Sequence, residues 1–134
     1  MKPVGLYKHL PIEDPQSLVD LNIQQPKHST GHDLLVSIKA ISVNPLDTKV
    51  RRGTIPPTEN ENMSRILGWD AAGEVIAVGS DCTLFEKGDA VYYADSISRP
   101  GTNCEFQLVD ERIVLEENQN HLALRKLLLC RLQL

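Results

Sequence analysis

The stretch that most constrains this chain is Ile66–Gly79, which reads ILGWDAAGEVIAVG. Small residues crowd its first half: Gly68, Ala71, Ala72 and Gly73. An apolar run follows from Val75 to Val78, and Gly79 closes it. Glycine at such points lets two backbones approach closely or lets the chain take a positive φ. The run is rich in Val, Ile and Ala and alternates poorly, the pattern of a strand buried on both faces. A tight corner feeding a central strand is expected, with Trp69 and Asp70 presented where the chain turns.

The flanking sequence supplies partners for that strand. Pro3–Tyr7 is a short first strand, and His9–Pro15, with two prolines and two acids, is a loop. Leu18–Ile23 alternates and predicts a half-buried strand. Gln24–Gly31 is a polar turn region. His32–Val43 is the longest strand candidate, and neither of its faces is cleanly polar, so much of it should be covered. Asn44-Pro45 then changes the pattern. Asn is a good N-cap and Pro a good first helical residue. Leu46–Arg52 predicts a helix of about two turns, ended by Gly53 as its C-cap. Thr54–Met63 reads as a surface loop. Beyond the central stretch, Gly88–Ala94 and Cys104–Val109 predict strands, Ser96–Asn103 a loop, and Ile113-Val114 the start of one more element. Short strands, long connections and one short helix point to a mainly β domain, a small barrel.

The bulk properties exclude several classes. A chain of 134 residues can build one domain with a real core. A net charge of −4 favours neither nucleic acid nor an anionic membrane surface. No stretch approaches the length of a transmembrane helix, and the first residues lack a signal pattern. Cys82, Cys104 and Cys130 are odd in number and widely spaced, which fits reduced thiols in a cytoplasmic protein.

Chemistry-bearing motifs are sparse. Gly68-x-x-x-x-Gly73 lacks the Lys and Ser/Thr of a phosphate loop, and no GxGxxG occurs. No Ser sits in a nucleophile elbow. The cysteines have no CxxC pairing for a zinc knuckle. His9, His28, His32 and His121 fall in loops or near the chain ends, where solvated side chains are the rule.

Four segments carry a resemblance: ISVNPLDTKVRRG (Ile41–Gly53), ILGWDAAGEVIAVGSD (Ile66–Asp81), LFEKGDAVYYA (Leu84–Ala94) and RPGTNCEFQLVDERIV (Arg99–Val114). In order and spacing they resemble the N-terminal half of medium-chain dehydrogenase/reductases, in particular the quinone-oxidoreductase-like members often labelled zinc-type alcohol dehydrogenase-like. The resemblance implies a GroES-like, partly open β-barrel over Met1–Val114. It places the family's Rossmann domain, which carries GxGxxG and binds the dinucleotide, outside this chain.

The resemblance also bears on the reaction. Zinc-dependent relatives have Gly-His-Glu in the place of Gly68-Trp69-Asp70 and Cys in the place of Asn44, and these supply the catalytic metal ligands. Trp69 has a donor-only indole, Asn44 is a weak ligand, and Asp70 alone does not make a site. The cysteine-rich lobe for a structural zinc is missing. No bound zinc is therefore expected. Without a Lewis acid, alcohol oxidation is disfavoured. Metal-free members of the superfamily reduce quinones and α,β-unsaturated carbonyls with NADPH, and the developing oxyanion needs only hydrogen-bond donors.

By resemblance, Asn44 and Asp47 lie beside the nicotinamide and substrate, and Trp69, Asp70 and Tyr93 line the same cleft. Each has an alternative role. Asn44 can cap the helix, and Asp47 can complement its dipole. Trp69 and Tyr93 can be core, and Asp70 can pair with Arg51 or Arg52. A chain holding half a cleft and no cofactor domain is expected to bind no NADPH and to be inactive alone.

Leu115–Leu134 does not match what precedes it. Seven leucines fall within Leu122–Leu134, interleaved with Arg125, Lys126 and Arg131. As a helix, this segment would present an apolar stripe. A second explanation is an out-of-frame tail. Synonymous codons exist for Leu115–Leu134 which, read from the third base, give GRKPKSFSFAEAAALPLTA. Relatives continue with G-x-K-P-K-S-x-S-F-A-E-A-A-A-L-P-L-T. A frameshift after Val114 is thus expected, and the gene's nucleotides test it. The alternative is a stand-alone, non-catalytic GroES-like binding module whose leucine-rich tail meets a partner. A zinc-type alcohol dehydrogenase is the second alternative. An unpaired barrel edge or the tail would favour self-association.

Overall fold

The structure, a computed structural model, describes residues 1–54 and 64–116. The expected loop at 54–63 lies outside the described residues except for Thr54, as does the leucine-rich segment from residue 117 onward. Eight strands and one helix follow in order: β1 (Val4–Leu6), β2 (Val19–Asp20), β3 (Asp33–Ser42), α1 (Pro45–Arg52), β4 (Arg65–Ile66), β5 (Asp70–Val78), β6 (Ala90–Ala94), β7 (Phe106–Asp110) and β8 (Val114–Glu116). A 3-10 turn, Glu111–Ile113, joins β7 to β8.

The strands form two sheets. One has the order β2-β1-β4, the other β7-β3-β5-β6-β8, and the described pairings are all antiparallel. Among the described residues the fold is thus mainly β with a single α-helix, and the sheets do not close into a complete barrel. β8 runs two residues past Val114, placing Leu115 opposite Tyr92 and Glu116 opposite Val91.

Two cores hold the molecule together. The larger lies on the five-stranded sheet and joins Leu34, Val36, Ala71, Val75, Val91, Tyr93, Val109 and Val114. Each fully buried Val or Leu there contributes about 1.5–3 kcal/mol. The smaller joins Leu6, Val50, Leu67 and Trp69, with Leu46 and Ile97 packed against it.

β5 is not buried on both faces. Ala71, Gly73 and Val75 point inward, whereas Glu74 and Val78 are exposed. The alternation is real but masked, because the other face carries the small or apolar Ala72, Ile76 and Val78. The glycines divide between them the two jobs expected from the sequence, close approach and positive φ. Ala71–Gly73 lie inside β5, and a Cβ on Gly73 would sit 2.3 Å from the Ser37 carbonyl oxygen. Gly73 thus allows β3 and β5 to approach closely. The corner itself falls at Leu67–Trp69, where Gly68 has φ 90°.

Leu18–Ile23 gives only the two-residue β2. Its partner β1 has three residues and meets it at Val4–Asp20 and Gly5–Val19. Leu21 is buried instead through its N–H bond to the Pro3 carbonyl (2.8 Å). β3 is covered along Leu34–Val36 but exposed from Lys39 to Ile41. The β7 ladder ends opposite Ser37, leaving that outer half paired to β5.

Candidate functional site

Topology brings three chain segments to one point. Ser42, the last residue of β3, pairs with Asp70, the first residue of β5. Two residues after Ser42 the chain enters α1 through Asn44, whose backbone is extended (φ −127°, ψ 165°). Pro45 takes the first helical position, and Gly53 closes the helix at φ 75°. These are the terminal signals expected from the sequence.

Asn44 sits at the N-cap and forms a capping box with Asp47. Its side-chain amide also donates to Asp70 Oδ2. Asp47 supplies the reciprocal contact, accepting the Asn44 backbone N–H at 2.7 Å through Oδ2. The two nitrogens of Asn44 thus hold one carboxyl group each.

Asp47 is 7% exposed, and its Oδ1 has no hydrogen-bond partner among the described residues. Burial pushes its carboxyl above the usual aspartate range, and the nearby charge of Asp70 adds to this. The Asn44 and Gly68 N–H groups oppose the shift. Asp70 itself is half-buried.

Trp69 precedes Asp70 and belongs to the smaller core. It is 2% exposed, and its Nε1 has no partner among the described residues. The Arg65 guanidinium lies 5.7 Å from the ring centroid, in cation–π range. Backbone bonds fix the corner on both sides. Thr102 N–H reaches the Gly68 carbonyl at 2.7 Å, and Asp95 N–H reaches the Trp69 carbonyl at 2.7 Å.

Tyr93, opposite Ala71 in the β5–β6 ladder, belongs to the larger core. Its hydroxyl donates to Gln107 Oε1 at 2.7 Å. Gln107 Nε2 in turn donates to Asp95 Oδ2 (2.8 Å) and to the Pro100 carbonyl (2.7 Å). Burial first, and then Asp95, pushes the Tyr93 hydroxyl well above its usual range. The structure therefore brings Asn44, Asp47 and Asp70 together, sets Trp69 in the adjoining core, and commits Tyr93 to a buried network. Gln107 and Asp95 escaped the sequence reading. The one available signal was the polar Gln107 alternating in step with Val109.

Arg51 gives its guanidinium to the Leu10 carbonyl at 2.9 Å. A groove of about 380 Å³ runs beside Arg65, Ile97, Arg99, Phe106, Gln107 and Leu108, and none of the five candidate residues lines it. Among the described residues, no three His, Cys, Asp or Glu side chains gather to hold a metal ion. The donor set at 44, 69 and 70 does not fit zinc. The indole offers an N–H rather than a lone pair, and the Asn44 amide is engaged by Asp70.

Residues 30–120 match the alcohol dehydrogenase GroES-like domain. A zinc-type alcohol dehydrogenase-like protein of Staphylococcus epidermidis is 36% identical over 120 residues, covering 90% of this chain and 34% of that protein. The crystal structure of a candidate zinc-dependent alcohol dehydrogenase from Rhizobium etli CFN 42 shares 52% identity at a TM-score of 0.80, covering 90% of this chain and 34% of that one. Escherichia coli quinone oxidoreductase, solved with NADPH, shares 27% identity at a TM-score of 0.75, covering 88% of this chain and 33% of that one. This chain thus spans about a third of the length of these relatives. It belongs to the alcohol dehydrogenase GroES-like domain family, within the medium-chain dehydrogenase/reductase superfamily.

Proposed function

We propose that this chain is the GroES-like part of an NADPH-dependent, zinc-independent oxidoreductase that reduces quinones or α,β-unsaturated carbonyls. The observation that carries this reading is the Asn44–Asp70 hydrogen bond. It puts a donor and a carboxylate where zinc relatives keep metal ligands. NADPH, when bound, supplies the hydride. Asn44 has a second amide N–H with which to meet the oxyanion left on the substrate. Asp70, half-buried at the start of β5, can orient the substrate's polar end. Buried Trp69 keeps the floor of the site apolar.

On this reading Met1–Val114 is the domain and Leu115–Leu134 an out-of-frame tail. The chain alone binds no NADPH and turns over no substrate. Its setting is the cytoplasm, its partner a small molecule rather than nucleic acid. Among the described residues, no helix is long and apolar enough to cross a membrane. Ile41 and Val43, 44% and 65% exposed, lie on or just beyond the outer half of β3 and favour self-association.

Two proteins test the reading. The chain itself, mixed with NADPH and 1,4-benzoquinone, should oxidise no NADPH. A chimera in which residues 1–114 replace the matching part of the Rhizobium etli relative should do so, even after chelation of metal. Activity lost to a chelator and restored by zinc would overturn zinc independence. Turnover by the chain alone would overturn its inactivity.

A further inference from the structure

The corner that presents Asp70 is held carbonyl by carbonyl. Five successive carbonyls, from Ile66 to Asp70, each accept a hydrogen bond from Asp95 or from Gly101–Asn103. Gly101 N–H reaches Ile66 (3.1 Å), Asn103 N–H reaches Leu67 (2.9 Å) and Thr102 N–H reaches Gly68 (2.7 Å). Asp95 N–H reaches Trp69 (2.7 Å), and the Thr102 hydroxyl reaches Asp70 at a longer 3.4 Å. The fit is so close that a Cβ on Gly101 would lie 2.3 Å from the Leu67 carbonyl oxygen.

The two parts of this grip, Asp95 and Gly101–Asn103, flank the loop Ser96–Pro100. The Gln107 side chain ties them together. Its Nε2 donates to Asp95 Oδ2 at 2.8 Å and to the Pro100 carbonyl at 2.7 Å. A primary amide nitrogen has two N–H donors, and these two bonds use both. Arg65 and Arg99 hold the middle of the loop instead. Arg65 donates to the Ile97 carbonyl, and Arg99 donates to Asp33 and to the Leu108 carbonyl. We propose that Gln107 is a positioning residue of the Asn44–Asp70 site, acting through Asp95 and Gly101–Asn103 on the backbone of Gly68–Asp70.

The chemical consequence rests on the proposed reduction of a quinone or enone. Asn44 comes from the entry to α1 and Asp70 from the corner, so their bond needs the corner in register with the start of the helix. Freeing the two ends of the grip lets the corner move, and Asp70 moves with it. The second Asn44 amide N–H then loses its aim at the oxyanion, a charge that develops in the transition state. The loss therefore falls on kcat rather than on KM. A misplacement of about 1 Å caused far from the chemistry costs on the order of a hundredfold.

Gln107→Glu isolates the amide nitrogen, because it keeps an oxygen to accept from Tyr93 and removes both donors. NMR of the full chain with isotope-labelled asparagine reads the Asn44 side-chain amide without any cofactor. Asn44→Ala identifies its signal, and Asp70→Ala gives the signal of an amide that has lost its partner. Gln107→Glu should move the parent signal toward the latter. Gly88→Ala, at a site with open space around it, should leave the signal in place. Circular dichroism confirms that each variant is folded. Should a carboxylate beside Asp95 prevent folding, Gln107→Met, uncharged and similar in length, takes its place. A signal unmoved in the folded Gln107 variant overturns the proposal, as does an equal movement in Gly88→Ala. In the chimera, the same Gln107 variant should lower kcat about tenfold to a hundredfold at unchanged KM. An unchanged kcat overturns the link to catalysis. A signal that moves as expected, with an unsubstituted chimera that reduces no quinone, supports the positioning role and overturns the functional reading instead.

Discussion

The side-chain amide of Asn44 donates to the carboxylate of Asp70, a residue 26 positions further along the chain. This contact joins the entry to α1 to the first residue of β5. The helix still has its N-terminal support, since Asp47 accepts the Asn44 N–H and puts a carboxyl group in the first turn.

Asn44→Ala should therefore cost more than a lost cap. The bond it removes ends on a carboxylate, and bonds to charged groups are worth about 1.5–3 kcal/mol. Asn44→Asp should be worse than Asn44→Ala, because a third carboxyl group would enter beside Asp47 and Asp70. Urea unfolding of the full chain measures both. Equal stabilities for the two variants would count against the contact.

Gly73 and Gly88 should respond differently to alanine. A Cβ at Gly73 would meet the Ser37 carbonyl oxygen at 2.3 Å and Val36 Cγ1 at 2.7 Å, so β3 and β5 must separate. That is overpacking against backbone, and about 3 kcal/mol is expected. Gly88 has φ 101° but open space around it. Only the cost of a positive φ remains, about 1–2 kcal/mol. Thermal unfolding should rank Gly73→Ala well below Gly88→Ala.

Glu111 should give stability a distinct acid limb. Its side chain accepts from the Thr83 and Leu84 N–H groups (3.1 and 2.9 Å to Oε2), and Oε1 meets His32 Nδ1 at 2.9 Å. The His32 bond, then the Leu84 N–H, hold its carboxyl below the usual glutamate range. A carboxyl depressed on folding binds fewer protons in the native state. Its contribution is complete above the unfolded pKa of about 4.3 and is lost as pH falls through the lower folded value. Glu111→Gln should lower stability at neutral pH and flatten the decline below that range. Parallel pH curves for the two proteins would refute this.

The local signals in the sequence were legible where one residue type fits one backbone state. Asn44-Pro45 and Gly53 marked both ends of α1 because Pro suits a first turn and Gly a positive φ. The face of β5 was not legible. Ala72 and Ile76 look like core residues, and only the neighbouring strands decide which side is covered. The pairing of Asn44 with Asp70 depends on the β3–β5 register, which no local window contains. The network around Gln107 was hidden for the same reason: its partners come from β6, the residue after β6 and a loop.

That network supports the last expectation. Tyr93→Phe removes a buried donor and leaves Gln107 Oε1 without it, at a cost of about 1–3 kcal/mol. Gln107→Leu strips partners from the Tyr93 hydroxyl, Asp95 Oδ2 and the Pro100 carbonyl together, so it should cost more than Tyr93→Phe. In the double variant the tyrosine hydroxyl is no longer there to be stranded. The combined loss should thus fall short of the sum by about 0.5–3 kcal/mol, the range for residues in contact. A double-mutant cycle in urea reads this coupling directly. Strict additivity would mean that the Tyr93 hydroxyl and Gln107 do not depend on each other, and the buried network would lose its place in the stability of the larger core.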